Sequence, residues 1–208
     1  MKLNSPFVIT ISRQLGSGGG YVGQNLAKQL GFFYADREII SQAAKRLSVL
    51  EEELEARDEK KTSFWQSFLQ SYASVSADTY TPPQIIAPTD REVFKAEAEV
   101  IEHIAKERSA VIIGRCGDHI LHEHPNRISI FLHTNPTFRK GRIRKVYHVS
   151  EEDAGEMIVR SDKERALYHH TFTGKEWTDV RKYDLSIDTG KIGLDKSVKL
   201  ILKYLELI

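Results

Sequence analysis

The chain has 208 residues, enough for one domain or for one domain with an inserted lobe. Its 30 basic and 29 acidic residues give a formal net charge of +1, which argues against a general nucleic-acid binder. The single cysteine excludes an internal disulfide framework and is typical of a reducing cytosol. No apolar run approaches the roughly 20 residues that span a bilayer, and we see no signal-peptide core. We therefore expect a cytoplasmic protein that binds neither membrane nor nucleic acid.

The first unit along the chain is a strand, a glycine-rich turn and a helix. Residues 8–11 are mostly β-branched and apolar, which predicts a buried parallel strand. Several glycines follow it, so successive N–H groups can point into one concavity at the positive end of the helix dipole. Residues 13–21 form the turn of this unit and are called the glycine loop. Their composition predicts a phosphate cradle; a flexible turn without a ligand is the alternative. The candidate binding residues in it are Arg13, Gly16, Ser17, Gly18, Gly19, Gly20 and Tyr21.

The glycine loop departs from the P-loop pattern Gly-x-x-x-x-Gly-Lys-Ser/Thr. No lysine follows the last glycine, and no serine or threonine stands ready for magnesium. The nearest cations in sequence are Arg13, before the turn, and Lys28, two turns into the helix. A kinase built on this loop would need its positive charge from elsewhere in the chain.

A short apolar strand at residues 32–35 places Asp36 and Arg37 at its carboxyl end, which in an open α/β sheet faces the ligand crevice. Asp36 is expected either to cap the next helix or to contact a ligand, and Arg37 to meet an anionic substrate. Residues 37–60 predict a helix with a break near Ser48.

The segment from 37 to 88 has no strand signal, and we expect a helical insertion over the sheet edge. Its aromatic stripe between Ser63 and Val75 is more typical of packing than of binding. A new helix over about 91–107 follows, which Thr89 or Asp90 can cap.

The second buried strand, residues 109–113, runs directly into Gly114 and Arg115. Arg115 is expected to face the same crevice, where its planar fork suits a phosphate. The alternative is a structural ion pair with Asp118 or Glu123. Cys116 has no evident base partner, so we expect it to be a packing residue.

A third strand at 127–132 is followed by two helices rich in arginine, the second spanning about 151–168. We expect a mobile basic hairpin that closes over a triphosphate and supplies the missing charge; an ordinary solvated face is the alternative. A last strand at 183–188 and a helix at about 194–206 complete the predicted parallel α/β sheet. The arginines of the hairpin are Arg139, Arg142, Arg144, Arg160 and Arg165.

Taken together, these motifs resemble the cytidylate kinase-like family, a nucleoside monophosphate kinase branch of the P-loop kinases. The resemblance covers nearly the whole chain. It is carried by Ile9–Gln14 with Gly16–Gly19, Tyr34–Glu38, Ile113–Cys116, Arg160–Arg165, Thr173-Gly174, Trp177 and Tyr183–Leu185. It implies a three-layer α/β/α fold with a five-stranded parallel sheet of order 2-3-1-4-5. The implied single domain comprises a core at 1–36, 89–134 and 180–208, a helical substrate lobe at about 37–88 and an arginine-rich lid at about 135–175.

The resemblance also implies an ATP-dependent phosphotransferase that uses Mg²⁺ and acts on a nucleoside monophosphate such as CMP or dCMP. It places ATP phosphates at the glycine loop, adenine near Thr189–Gly193, and the acceptor at Asp36, Arg37 and Arg115. Catalytic roles fall to Arg115, Arg142, Arg160 and Arg165. Where true cytidylate kinases carry Gly-Lys-Gly-Thr, this chain has Gly18-Gly19-Gly20-Tyr21. Two alternatives follow from that gap: a nucleotide-binding protein with little or no turnover, or a kinase of a non-nucleotide small molecule.

Overall fold

The structure, a computed structural model, describes residues 5–53, 65, 67 and 91–208. Within these residues five strands pair in parallel in the order β2-β3-β1-β4-β5. This order confirms the predicted sheet. The strands are β1 Val8–Arg13, β2 Phe33–Ala35, β3 Ala110–Ile113, β4 Arg127–His133 and β5 Leu185–Asp188.

Helices alternate with these strands; the helices at 91–107 and 194–205 match the predicted bounds to within one residue, whereas the helix that begins at Glu151 ends at Thr173, five residues beyond the predicted end. The predicted break near Ser48 is wrong: the second helix runs uninterrupted, because serine costs little inside a helix and Leu47 beside it is fully buried. The caps predicted at Thr89 or Asp90 lie outside the described residues, as does most of the aromatic stripe. None of the helices in the described ranges combines the length and apolar character that crossing a bilayer requires. The helices are α1 Gly19–Leu30, α2 Arg37–Glu53, α3 Arg91–Glu107, α4 Gly117–Ile120, α5 Pro136–Tyr147, α6 Glu151–Thr173, α7 Thr189–Ile192 and α8 Leu194–Leu205, with a 3-10 turn at Val180–Lys182.

Each face of the sheet has its own hydrophobic core, because side chains alternate across a strand. Val8 and Ile112 pack on one face with buried residues of α2 and α3. Ile9 and Ile113 pack on the other face with α1 and α8. Covering both faces produces the three-layer α/β/α architecture and explains why the central strands are almost wholly apolar.

The hairpin formed by α5 and α6 has a third, smaller core. Ile143 of α5 packs with Ala154 and Ile158 of α6, and Leu15 of the glycine loop joins them. The region predicted to be a lid therefore contacts the glycine loop through apolar side chains, besides carrying arginines.

Candidate functional site

The glycine loop turns the chain from β1 into α1 at the carboxyl edge of the sheet. Gly16 and Gly18 have φ angles of 84° and 81°, a left-handed conformation that glycine adopts without strain. Gly18 is the N-cap of α1, and no described side chain caps this helix end. The first N–H groups of a helix lack intrahelical acceptors, so this terminus suits an anion from outside the chain.

Hydrogen bonds within the glycine loop and to neighbouring elements fix its conformation. The Ser17 hydroxyl donates to the Gln14 carbonyl at 2.8 Å, and the Thr189 hydroxyl donates to the Ser17 carbonyl at 2.8 Å. The Thr134 N–H donates to the side-chain oxygen of Gln14 at 3.2 Å. Residues of α7, which the resemblance places near adenine, thus lie against the loop.

Tyr21 occupies the position at which cytidylate kinases carry threonine, and its hydroxyl forms a hydrogen bond with another side chain of the protein. Its hydroxyl donates to Asp195 Oδ1 at 2.6 Å, joining the starts of α1 and α8. This hydrogen bond and the Asp195 charge raise the pKa of Tyr21, while Arg142 opposes the rise and so lies nearby. Among the described residues no group of three His, Cys, Asp or Glu side chains is placed to hold a metal ion.

Arg139, one of the hairpin arginines, is buried and fully engaged. Its two Nη atoms donate to the Asp162 carboxylate at 2.8 and 2.7 Å, and its Nε donates to the Leu15 carbonyl at 2.6 Å. A β-carbon at Gly16 would lie 2.9 Å from both Cα and O of Arg139. Arg139 therefore joins α5, α6 and the glycine loop, and Asp162 neutralises its charge.

Arg115 is held by a buried polar network. Its Nη2 lies 2.8 Å from Glu97 Oε1 and donates to the Ser41 hydroxyl at 2.7 Å. The Ser41 and Tyr168 hydroxyls donate to the two oxygens of Glu97, at 2.7 and 2.9 Å. The guanidinium carbon of Arg115 lies over the Tyr168 ring, 5.2 Å from its centroid. The ion-pair partner is thus Glu97, where the sequence suggested Asp118 or Glu123.

Arg13, Arg115 and Arg165 come together at the carboxyl ends of β1 and β3. Arg165 Nη1, from α6, donates to the Arg13 carbonyl at 2.8 Å. Burial and the positive charge of Arg165 lower the pKa of Arg13 to about 9, with a smaller contribution from Arg115, while Tyr34 and Asp36 oppose the shift. A concentration of guanidinium groups beside an uncapped helix N-terminus is suited to a polyanion.

The remaining candidates occupy different surroundings. Asp36 Oδ1 accepts from the N–H groups of Glu38 at 3.0 Å and Ile39 at 3.1 Å, so the capping alternative is the one observed. Arg37 beside it is half-buried, whereas Arg160 on α6 is exposed.

Cys116 is buried, as expected of a packing residue. Burial raises the pKa of its thiol, and the charge of Asp118 raises it further. The thiol therefore stays protonated at neutral pH and is a poor nucleophile.

Sequence reasoning missed Glu97, the acid that neutralises Arg115. A signal was present, because Glu97 lies on the same helical stripe as Ile101 and Ile104, which are buried. A charged residue on an apolar stripe predicts a buried partner. The sequence could not identify that partner, because Arg115 follows β3 and is brought to Glu97 only by folding.

The sequence profile of the cytidylate kinase-like family matches residues 8–191. A cytidylate kinase of Saccharolobus islandicus is 27% identical over 124 residues, which cover 59% of this chain and 65% of that one. The aligned stretch thus spans less than two thirds of the relative's length.

Solved structures extend the similarity over nearly the whole chain. An uncharacterized protein from Eubacterium ventriosum has a TM-score of 0.72 and 25% identity, covering 96% of this chain and 98% of that one. Shikimate kinase from Bacteroides thetaiotaomicron has a TM-score of 0.53 and 13% identity, with 96% and 98% coverage. The second likeness concerns the fold alone.

Proposed function

Because this chain belongs to the cytidylate kinase-like family, we propose that it transfers the γ-phosphate of ATP to a nucleoside monophosphate such as CMP or dCMP. The family and the fold support a kinase-like function for a nucleotide or another small molecule. The observation that carries the proposal is the convergence of Arg13, Arg115 and Arg165 on a glycine loop whose helix end no described side chain caps.

Phosphoryl transfer depends on positioning and on neutralising phosphate charge, which suits this arrangement. Backbone N–H groups from Gly16 to Gly20 would hold the ATP phosphates, with Arg13, Ser17 and Tyr21 around them. Arg142, Arg160 and Arg165, on the hairpin that we regard as the lid, would supply charge on closure. The acceptor would lie at Asp36, Arg37 and Arg115.

The hydroxyl groups of Tyr21 and Ser17 in the glycine loop are not placed to bind Mg²⁺. The Tyr21 hydroxyl donates to Asp195 and the Ser17 hydroxyl to Gln14, so neither is directed at a metal. Mg²⁺ commonly keeps several waters and binds through substrate phosphates. We therefore expect Mg²⁺ to enter with ATP, held by the phosphates and water, in a cytoplasmic enzyme.

The test is a coupled assay with ATP and Mg²⁺ across CMP, dCMP, UMP and AMP, comparing wild type with Arg165→Met. CMP or dCMP should be the best acceptor, and Arg165→Met should lower kcat by about 10²-fold or more. Lys199→Met, an exposed lysine of α8, is the matched control and should leave kcat unchanged. Absence of transfer to every acceptor, with either ATP or GTP, would refute the proposal.

A second candidate is a kinase of a non-nucleotide alcohol. The observation favouring it is that Glu97 already neutralises Arg115, which lessens the attraction of that arginine for an acceptor phosphate. Small hydroxy acids such as shikimate belong in the same assay. Stabilisation by ATP of RT ln(1 + [L]/Kd) in a melting experiment, with no product from any acceptor, would favour nucleotide binding without turnover.

A further inference from the structure

The glycine loop differs from the P-loop pattern at two positions that are related. In Gly-x-x-x-x-Gly-Lys the lysine stands six residues after the first glycine. With Gly18 as the second glycine, the lysine position is Gly19 and the first-glycine position is Arg13. The cation and the glycine have therefore exchanged places within one motif.

The two positions are also in contact. A β-carbon added at Gly19 would lie 2.6 Å from Arg13 Cγ and 2.9 Å from Arg13 Cβ. These atoms are at the root of the arginine side chain, so rotation of its outer bonds cannot clear them. The first side-chain carbons of Arg13 thus occupy the space that the β-carbon of a lysine at position 19 would need.

The other end of Arg13 lies at the carboxyl end of β3. A β-carbon at Gly114 would overlap Arg13 Nη1. The Arg13 side chain therefore extends from the start of α1 to the β3 terminus, where its guanidinium lies against Gly114, on the side of the sheet where ligands bind in open α/β folds.

The electrostatic surroundings of Arg13 indicate an anionic partner. Burial and the charges of Arg165 and Arg115 disfavour its charged form, and together they outweigh the opposing effects of Tyr34 and Asp36, since the pKa of Arg13 is lowered. Asp36 is also engaged with the N–H groups that begin α2. A partly buried guanidinium beside other cations is stabilised by a phosphate, which accepts its parallel hydrogen bonds.

We propose that Arg13 takes the role of the missing P-loop lysine and contacts the terminal phosphates of the bound nucleoside triphosphate. This inference rests on the proposed function only in requiring that ATP occupies the glycine loop. Because Arg13 belongs to β1 in the core, its charge is in place before the hairpin moves. Arg142, Arg160 and Arg165 of the hairpin then add to this charge.

The experiment is a double-mutant cycle on Arg13→Gly and Gly19→Lys, read out by calorimetric Kd for a non-hydrolysable ATP analogue with Mg²⁺. Each single variant should weaken binding by about tenfold or more, the first by losing the charge and the second by steric conflict. The double variant, which restores the usual pattern, should bind more tightly than either single variant.

Arg13→Met is the second variant, since it keeps a stem of similar size over Gly19 and removes the charge. It should raise Kd for the ATP analogue about tenfold and leave Kd for adenosine, which has no phosphates, unchanged. Lys28→Met, the other cation near the loop in sequence, is the matched control and should change neither Kd. The melting temperature of each variant establishes that it is folded.

The outcomes separate the two proposals. Unchanged ATP binding in Arg13→Met, or a double variant no better than Gly19→Lys alone, would overturn the role of Arg13 even if the enzyme transfers phosphate. ATP binding that depends on Arg13, without transfer to any acceptor, would support this role and refute the proposed function. Failure of the wild type to bind the ATP analogue would overturn both.

Discussion

Replacing Glu97 by glutamine should destabilise the protein strongly. The Glu97 side chain is 1% exposed and that of Arg115 is 7% exposed, with Nη2 and Oε1 2.8 Å apart. The amide keeps the shape but removes the charge, and its NH₂ group faces a donor, either Arg115 with Ser41 or Tyr168. Removing one partner of a buried ion pair costs about 3–5 kcal/mol. For a domain of this size that cost lowers the melting temperature by roughly 6–20 °C.

Urea unfolding followed by circular dichroism measures this loss directly. Glu102→Gln, an exposed glutamate of the same helix, is the matched control and should change the unfolding free energy by less than about 0.5 kcal/mol. The double variant Glu97→Leu/Arg115→Met removes both charges and should be more stable than Glu97→Gln. Equal stability of Glu97→Gln and the control would refute the description of Arg115 as a buried, paired arginine.

Three further predictions concern the hairpin, the magnesium position and pH. Asp162→Asn leaves Arg139 buried without its bidentate partner; because Asp162 is 29% exposed, we expect a loss of about 2–3 kcal/mol in urea unfolding. Lys163→Gln, exposed on the same helix, should have no effect, and equal values for the two variants would contradict the role of the pair. Gly20→Ser places a hydroxyl where P-loops bind the metal, so half-maximal activity should need less Mg²⁺ than in Gly20→Ala; the same requirement in both variants would contradict this. Since the pKa of Cys116 is raised on folding, the native thiol keeps a proton that the unfolded chain loses. Stability should therefore fall above about pH 8.5, by up to about 1.4 kcal/mol per pH unit more in wild type than in Cys116→Ala; identical pH profiles would show that this thiol does not contribute.

Much of the fold was predictable because its signals are local. The apolar run of β1, the glycines after it and the helical stripes of α1 and α3 each lie within a few turns of chain. The prediction of a break near Ser48 was wrong because a contact distant in sequence decided the outcome. A weak local preference of serine was outweighed by the burial of Leu47 against the rest of the core.

The sequence predicted the location of the candidate site but not the interactions between its side chains. The carboxyl ends of β1, β2 and β3 were expected at one edge, and Arg13, Asp36 and Arg115 lie there. The use of Asp36 as a helix cap was one of two open alternatives. The partner of Arg115 was missed, because Ser41 and Glu97 belong to α2 and α3 and only the folded chain brings them together.

The sequence by itself determined that strands alternate with helices along the chain, where the glycine loop lies and that this loop lacks a lysine. These features depend on periodicity and spacing along the chain. Only the tertiary structure decided which arginines are neutralised: Arg139 by Asp162 and Arg115 by Glu97. It also placed the Arg13 stem over Gly19. The physical reason is that charge pairing and steric exclusion depend on distances through space, which residues far apart in sequence acquire only when the chain folds.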